Sequence, residues 1–300
     1  MKNPHEHAKR RGVHCQARDP ASPTPALDPR LANAVMDLVL DLVPLLSLVP
    51  AFLQALRREP RRDALFWATI AVAVAGPAAR FAVHLAGPWE TGFGASLWAT
   101  VAVSATLYAV IAAVDAQAWR LAPLVAAYLF LLALLAVVWQ TAPAQPLIPG
   151  PDIGGWVAVH IVVSVVTYAF VTIAAVAALA AFIQERALKR RRPATVARAL
   201  PSVANCEALV LRLLLIGEIV LGLGLMTGMA LAYRETGQIL PFDHKTILSL
   251  AAFVVIAGLL IAHYRRGLRG RRAARIVLLA YLLLTFGYPG VKFVTDVLIA

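Results

Sequence analysis

The chain has 300 residues, 60% of them apolar and only 15% charged, with a formal net charge of +12 and a mean hydropathy of +0.74. A water-soluble domain of this size needs far more charge on its surface, so the composition excludes one. It also argues against nucleic acid as a partner. The Lys and Arg residues sit in short loops between apolar runs, and such loops cannot build an ordered basic face.

Apolar runs of about 20 residues recur along the chain, the length a helix needs to cross roughly 30 Å of hydrocarbon. They are too long and too continuously apolar for barrel strands, which alternate over about 10 residues. The expected fold is all-α: a polytopic membrane protein with eight transmembrane helices. Residues 1–31 are polar and rich in Pro, Arg and His, and read as a disordered basic tail ahead of a membrane domain over 32–300. The tail histidines His5, His7 and His14 read as solvated. No apolar signal-peptide core precedes them, and a start at Met36 would remove the tail.

The first span, about 32–56, carries Asp37 and Asp41 four apart on one face. Arg57, Arg58, Arg61 and Arg62 follow. The second, about 64–86, holds Pro77, Arg80 and His84. A loop without Lys or Arg leads to the third span, about 94–115, and a short turn with Arg120 to the fourth, about 121–140. A Pro/Gly-rich loop, again without basic residues, precedes the fifth span at about 156–183, which Trp156 and His160 open. A strongly basic loop follows. The sixth span, about 207–232, contains Arg212 and Glu218; the seventh is about 246–263, and after another Arg-rich loop the eighth is about 276–298.

Loop charge alternates with this count. The loops after spans one, three, five and seven hold nearly all the loop Lys and Arg, and the other three are nearly bare. The basic set belongs in the cytoplasm, which predicts a periplasmic C-terminus. The basic tail then lies outside; an internal start at Met36 or translocation of the tail would reconcile it. By the same reasoning His84, His160 and His244 all fall near the outer ends of their helices, within roughly 10 Å of the interface at 1.5 Å rise per residue.

Imidazole is the commonest metal ligand and the usual axial ligand of haem iron. Histidines on facing helices of a bundle can hold a haem or a metal between them. His160 and His244 are the candidate iron ligands, with His84 third. Ser164 and Tyr168 follow His160 at i+4 and i+8 on one helical face. Arg80, Arg234 and Lys245 are candidate cations for haem propionates, beside Asp243. Glu218, in mid-span, is a candidate for helix pairing or for a proton path. Cys15 and Cys206 are isolated, without CxxC or CxxCH, so no redox pair, zinc site or covalent haem attachment is expected. No Walker, GxSxG or HExxH motif occurs, and no enzymatic activity is expected.

The His160, Ser164, Tyr168 pattern, the Asp243-His244-Lys245-Thr246 island and the Gly290-Val291-Lys292-Phe293 ending come in a familiar order and spacing. With the segments around them they resemble the cytochrome c assembly (CcsA/CcmC-like) membrane family, and within it the YpjD-type, HemX-like inner-membrane branch. The resemblance covers roughly residues 36–300 and is strongest over 156–298. It implies haem handling at the outer face of a bacterial inner membrane, with outer histidines as axial ligands and other cytochrome assembly or membrane proteins as partners. Haem-presenting members carry a Trp-rich segment with Trp-Asp-Pro-Lys-Glu where this chain has Phe242-Asp243-His244-Lys245-Thr246, and a second outer histidine where it ends Val297-Leu298-Ile299-Ala300. The implied role is therefore non-covalent haem binding in cytochrome c assembly. The alternatives are a HemX-like regulatory or scaffold protein of haem biosynthesis, and a small-solute or proton-coupled transporter using Asp37, Asp41 and Glu218.

Overall fold

The computed structural model describes residues 29–55, 61–86, 90–139, 145–146, 154–190, 199–237 and 243–294. The expected tail up to residue 28, Pro241, Phe242 and the last six residues lie outside the described residues. Eight helices follow in order: α1 Pro29–Ala55, α2 Ala64–Ala86, α3 Phe93–Val114, α4 Ala122–Val138, α5 Gly154–Arg190, α6 Val203–Thr236, α7 His244–Arg266 and α8 Arg271–Thr285. A 3-10 turn, Ala118–Leu121, leads into α4, and a π turn, Phe286–Gly290, continues α8 into a last turn at Val291–Phe293. Residues up to Leu38, including the start of α1, form a unit of their own; Val39 onward is the compact unit described below.

The chain is an all-α, multi-pass membrane protein. Among the described residues seven helices are long and apolar enough to cross a membrane, and the apolar stretch Val39–Gln54 of α1 is an eighth, shorter one. Large apolar side chains stay exposed on the outside, among them Leu46, Val110, Leu131, Ile219, Met226 and Val254. That is the surface a bundle presents to lipid rather than to water.

Capping residues set the helix ends. Asp63, Ser202 and Asp243 accept hydrogen bonds from the backbone N–H three residues on, at 2.8, 3.3 and 2.8 Å, and so start α2, α6 and α7. Gly237 and Gly267 end α6 and α7 in left-handed conformation, φ 73° and 67°, which glycine adopts without a Cβ penalty. Pro289 lacks the N–H an α-helical ladder requires, and it lies in the π turn at the end of α8.

Packing is densest between α5 and α6. Small residues make the close approach possible: Ala174, Ala177 and Ala180 of α5 are fully buried. A Cβ added at Gly217, Gly224 or Gly228 of α6 would meet Phe170, Val163 or His160 of α5. The helices α5, α6, α7 and α8 pack in a ring, α5 on α6, α6 on α7, α7 on α8 and α8 on α5, while α3 joins α5 to α2 and α4.

The two ends of the bundle differ. At one end described residues that flank the basic connections meet: Arg62 donates to the Ala113 carbonyl at 3.0 Å, Arg120 to that of Ala199 at 3.1 Å, and Arg271 faces Glu185 at 3.9 Å. At the other end two of the connections expected to hold almost no Lys or Arg come together. Strands β1 (Glu90–Thr91) and β2 (Gln145–Pro146) form a short antiparallel ladder, with Glu90 opposite Pro146. Phe93, Trp139 and Phe293 pack edge to face beside it, 5.5 to 6.3 Å between centroids.

Helix lengths depart from the sequence reading. At 1.5 Å per residue α5 is about 55 Å long and α6 about 51 Å, against spans expected at 156–183 and 207–232. Arg186, Lys189 and Arg190, expected in a loop, lie on the last turns of α5. A hydrophobic run marks where lipid ends, and a helix continues past that point as long as its backbone bonds are satisfied.

Candidate functional site

His84, His160 and His244 all belong to helix termini at the ladder end. His84 is in the last turn of α2, His160 is seven residues into α5, and His244 opens α7. Their settings differ. His160 is half-buried and its ring lies against α6, so close that a Cβ on Gly228 would stand 3.0 Å from its Cε1. His244 is exposed on the first turn of α7, and His84 is half-exposed on α2, which packs chiefly on α3.

The hydrogen bonding of His160 fixes its chemistry. Its Nδ1 lies 3.1 Å from Thr227 Oγ1. The Thr227 hydroxyl donates its own hydrogen to the Gly224 carbonyl at 3.0 Å, so toward the imidazole it acts as acceptor. In that arrangement the neutral imidazole is assigned its proton on Nδ1 and keeps a lone pair on Nε2. A second-shell acceptor on one ring nitrogen is how a ligating histidine is held in tautomer and orientation. Trp156, one turn before His160 and on the same face, is 46% exposed and offers a flat apolar wall.

The α7 start lies at a matching depth. Gly222 packs on Phe253 and Gly228 packs on His160; α6 and α7 are successive helices joined by a short connection, so six residues along α6 correspond to about six back along α7. That places His160 level with the first turn of α7. Asp243 caps this turn, its Oδ1 accepting the Thr246 N–H at 2.8 Å. Partial burial raises the Asp243 pKa, but the Thr246 hydrogen bonds and the neighbouring Lys245 and His244 outweigh it and hold the carboxyl below its ordinary range. Lys245 and Arg234 are exposed cations at this end.

Arg80 has another partner. Its Nε donates to Asp41 at 2.8 Å, with side-chain exposures of 15% and 5% for the two residues. This buried ion pair joins α1 to α2. Tyr168, expected behind His160, belongs to a polar cluster deeper in the bundle. Its hydroxyl lies 3.1 Å from Thr285 Oγ1 and 3.4 Å from Tyr281 Oη, and Tyr281 in turn donates to Tyr128 at 3.1 Å. Ser164 is half-buried between the two levels.

Thr227 and the Asp41–Arg80 pairing do not stand out in the sequence. The Gly224–Gly228 spacing is by itself a small-residue helix-packing pattern, and only the crossing of α5 over α6 turns it into a seat for an imidazole. Among the described residues no three His, Cys, Asp or Glu side chains gather as a metal-holding group. A two-histidine axial set, the kind haem takes, needs only one good ligand from each of two elements. A tautomer-fixed His160 with a free Nε2 beside an exposed Trp is consistent with that requirement.

The family model for Cytochrome C assembly protein matches residues 91–299. An uncharacterized 28.8 kDa protein from the nifR3-like 5' region of Azospirillum brasilense is 50% identical over 268 residues, 88% of this chain and 98% of that protein. The inner membrane protein YpjD of Escherichia coli K12 is 29% identical over 182 residues, 61% of this chain and 66% of that protein. The cytochrome c biogenesis protein CcsA of Chlamydomonas reinhardtii is 25% identical over 153 residues, 51% of this chain and 42% of that protein.

Proposed function

The chain belongs to the cytochrome c assembly protein family, and from that premise we propose that it takes part in cytochrome c biogenesis as an inner-membrane protein that binds haem non-covalently at the ladder end of its bundle. The observation that carries the reading is the His160–Thr227–Gly224 hydrogen-bond line, which leaves Nε2 of His160 unprotonated. His160 is the first axial ligand in this proposal and His244 the second, with His84 as a reserve at the same end. Haem is the cargo here, and the protein's part is to hold and orient it.

The rest of the site supports the assignment. Trp156 supplies apolar surface for a porphyrin face. Lys245 and Arg234 are the cations available for propionates, whereas Arg80 is engaged by Asp41. Asp243 keeps the α7 start folded, and so fixes where His244 stands. Ser164 and Tyr168 continue the His160 face into the bundle. The basic connections gathered at the opposite end support a cytoplasmic location for that end, which puts the haem end and the C-terminus on the periplasmic side.

Haem titration of the purified protein tests the reading. Wild type takes up haem with a low-spin, bis-histidine absorption spectrum. His160→Ala loses it, and His244→Ala converts it to a five-coordinate form. Unchanged spectra in both variants would refute the ligand assignment.

A further inference from the structure

Glu218 stands near the middle of α6, 15 residues from its first residue Val203 and 18 from its last, Thr236. Both of its carboxyl oxygens are buried and have no hydrogen-bond partner among the described residues. The residue as a whole is half-buried, at the edge of the buried stripe of α6: Leu214 and Leu221, at i−4 and i+3, are 0% and 5% exposed, while Leu215 and Ile219, at i−3 and i+1, are 44% and 61% exposed. Beside it Gly217 packs on Phe170 and Val171 of α5 and Gly222 packs on Phe253 of α7, so this face of α6 lies between those two members of the ring formed by α5, α6, α7 and α8.

Among the described residues these four helices carry no cation at the depth of Glu218. On α7 no ionisable residue occurs from Thr246 to Ala262. On α5 the only ionisable group between His160 and Glu185 is Tyr168. On α8 and its continuation, Tyr281 and Tyr288 alone lie between Arg275 and Lys292. Within α6 the nearest charge is Arg212, which is 73% exposed and faces Asp115 at 3.6 Å. Gly217 packs on Phe170 and Val171, so Tyr168 lies within about one turn of the Glu218 level. Tyrosine hydroxyls can donate to a carboxyl but cannot balance its charge.

An ionised carboxylate taken from water into such a site without a counter-ion costs far more than a folded chain can supply, so the group is neutralised instead. A metal cation is a poor candidate for that task. Hard cations need six or more oxygen ligands, whereas the main-chain carbonyls at this depth are committed within helices. We propose that Glu218 is a membrane-embedded proton-binding site, which carries a proton while the four-helix ring is closed and releases it when water or a cationic group reaches the ring interior. This goes beyond haem binding and does not rest on it.

Infrared spectroscopy of the haem-free protein at neutral pH is the test. In wild type a protonated carboxylic acid C=O stretch, shifted in D2O, is expected above the amide band, and Glu218→Gln removes it. The Asp41 carboxyl, paired with Arg80, contributes none. Independently, dicyclohexylcarbodiimide reacts only with a protonated carboxyl. The acid proton moves to a carbodiimide nitrogen, the carboxyl oxygen adds to the central carbon, and the acyl group migrates to nitrogen as a stable acylurea. Peptide mapping of labelled wild type then finds the adduct on Glu218, a result that needs no variant to fold. Absence of the protonated band in wild type together with no adduct on Glu218 would overturn the proposal.

Discussion

Thr227→Val removes one oxygen and almost no volume, which makes it the cleanest probe of the His160 assignment. In the wild-type protein Thr227 Oγ1 lies 3.1 Å from His160 Nδ1, and with its own hydrogen on the Gly224 carbonyl it is the acceptor for Nδ1–H. Without it the imidazole loses its second-shell partner and the constraint on its tautomer. Loss of one such hydrogen bond costs about 1 kcal/mol of stability, small enough for the protein to remain folded. The effect on a bound iron is larger. Second-shell partners of ligating histidines are worth roughly 10–100-fold in metal affinity, which corresponds to about 1.4–2.7 kcal/mol. Haem titration in detergent, followed by the Soret band, reads this directly, with Thr227→Ser as the control that keeps the acceptor. The prediction is a Kd raised about 10-fold or more for Thr227→Val and near wild type for Thr227→Ser. Equal affinities for wild type and Thr227→Val would refute the reasoning, since the line from Gly224 through Thr227 would then have no bearing on the ligand.

Further consequences concern the seat, the pair and the cap. Gly228→Leu drives a side chain into the His160 ring, where a Cβ alone stands 3.0 Å from Cε1; it is expected to cost about 1–3 kcal/mol by overpacking, lowering the melting temperature and abolishing haem uptake. Asp41→Ala leaves Arg80 as a buried, unpaired charge and is expected to destabilise by about 3–5 kcal/mol, while the double change to Asp41→Leu with Arg80→Met recovers most of it, both read by thermal melting in detergent. Asp243→Ala removes the α7 cap at a cost of about 1 kcal/mol. The capping carboxyl has a folded pKa below its unfolded value, so its contribution is complete above roughly pH 4 and is lost as pH falls through the folded pKa. The stability difference between wild type and Asp243→Ala, followed by melting as a function of pH, should therefore vanish only in strong acid; a difference that disappears near neutrality would contradict the capping role.

The membrane architecture was legible because lipid imposes it segment by segment. A run such as Phe93–Val114 or Ala122–Val138 can satisfy its backbone only as a helix, and the alternation of basic and bare loops needs no tertiary information. That His84, His160 and His244 belong to helix termini at the same end follows from helix direction alone. What joins across helices was not legible. Asp41 and Arg80 are 39 residues apart and Tyr168 and Tyr281 are 113 apart; no periodicity within one helix announces such partners. Arg80 read as a propionate cation because its sequence neighbour is His84, yet its nearest carboxylate comes from α1. Thr227 was hidden for a different reason: it is a small polar residue in an apolar run, and only the packing of α5 on the Gly224–Gly228 face gives its hydroxyl an imidazole to hold. The overshoot of α5 and α6 beyond the membrane escaped notice because hydropathy falls where lipid ends, whether or not the helix does.

The central claim is that His160 presents an unprotonated Nε2 to haem iron at the ladder end of the bundle. A pyridine haemochrome assay on wild-type and His160→Ala protein, purified side by side and given the same free haem, tests it most directly. The account predicts non-covalent b-type haem in wild type and little or none in His160→Ala. A wild-type protein that purifies colourless and takes up no added haem, or a His160→Ala protein that retains the full complement, would contradict it.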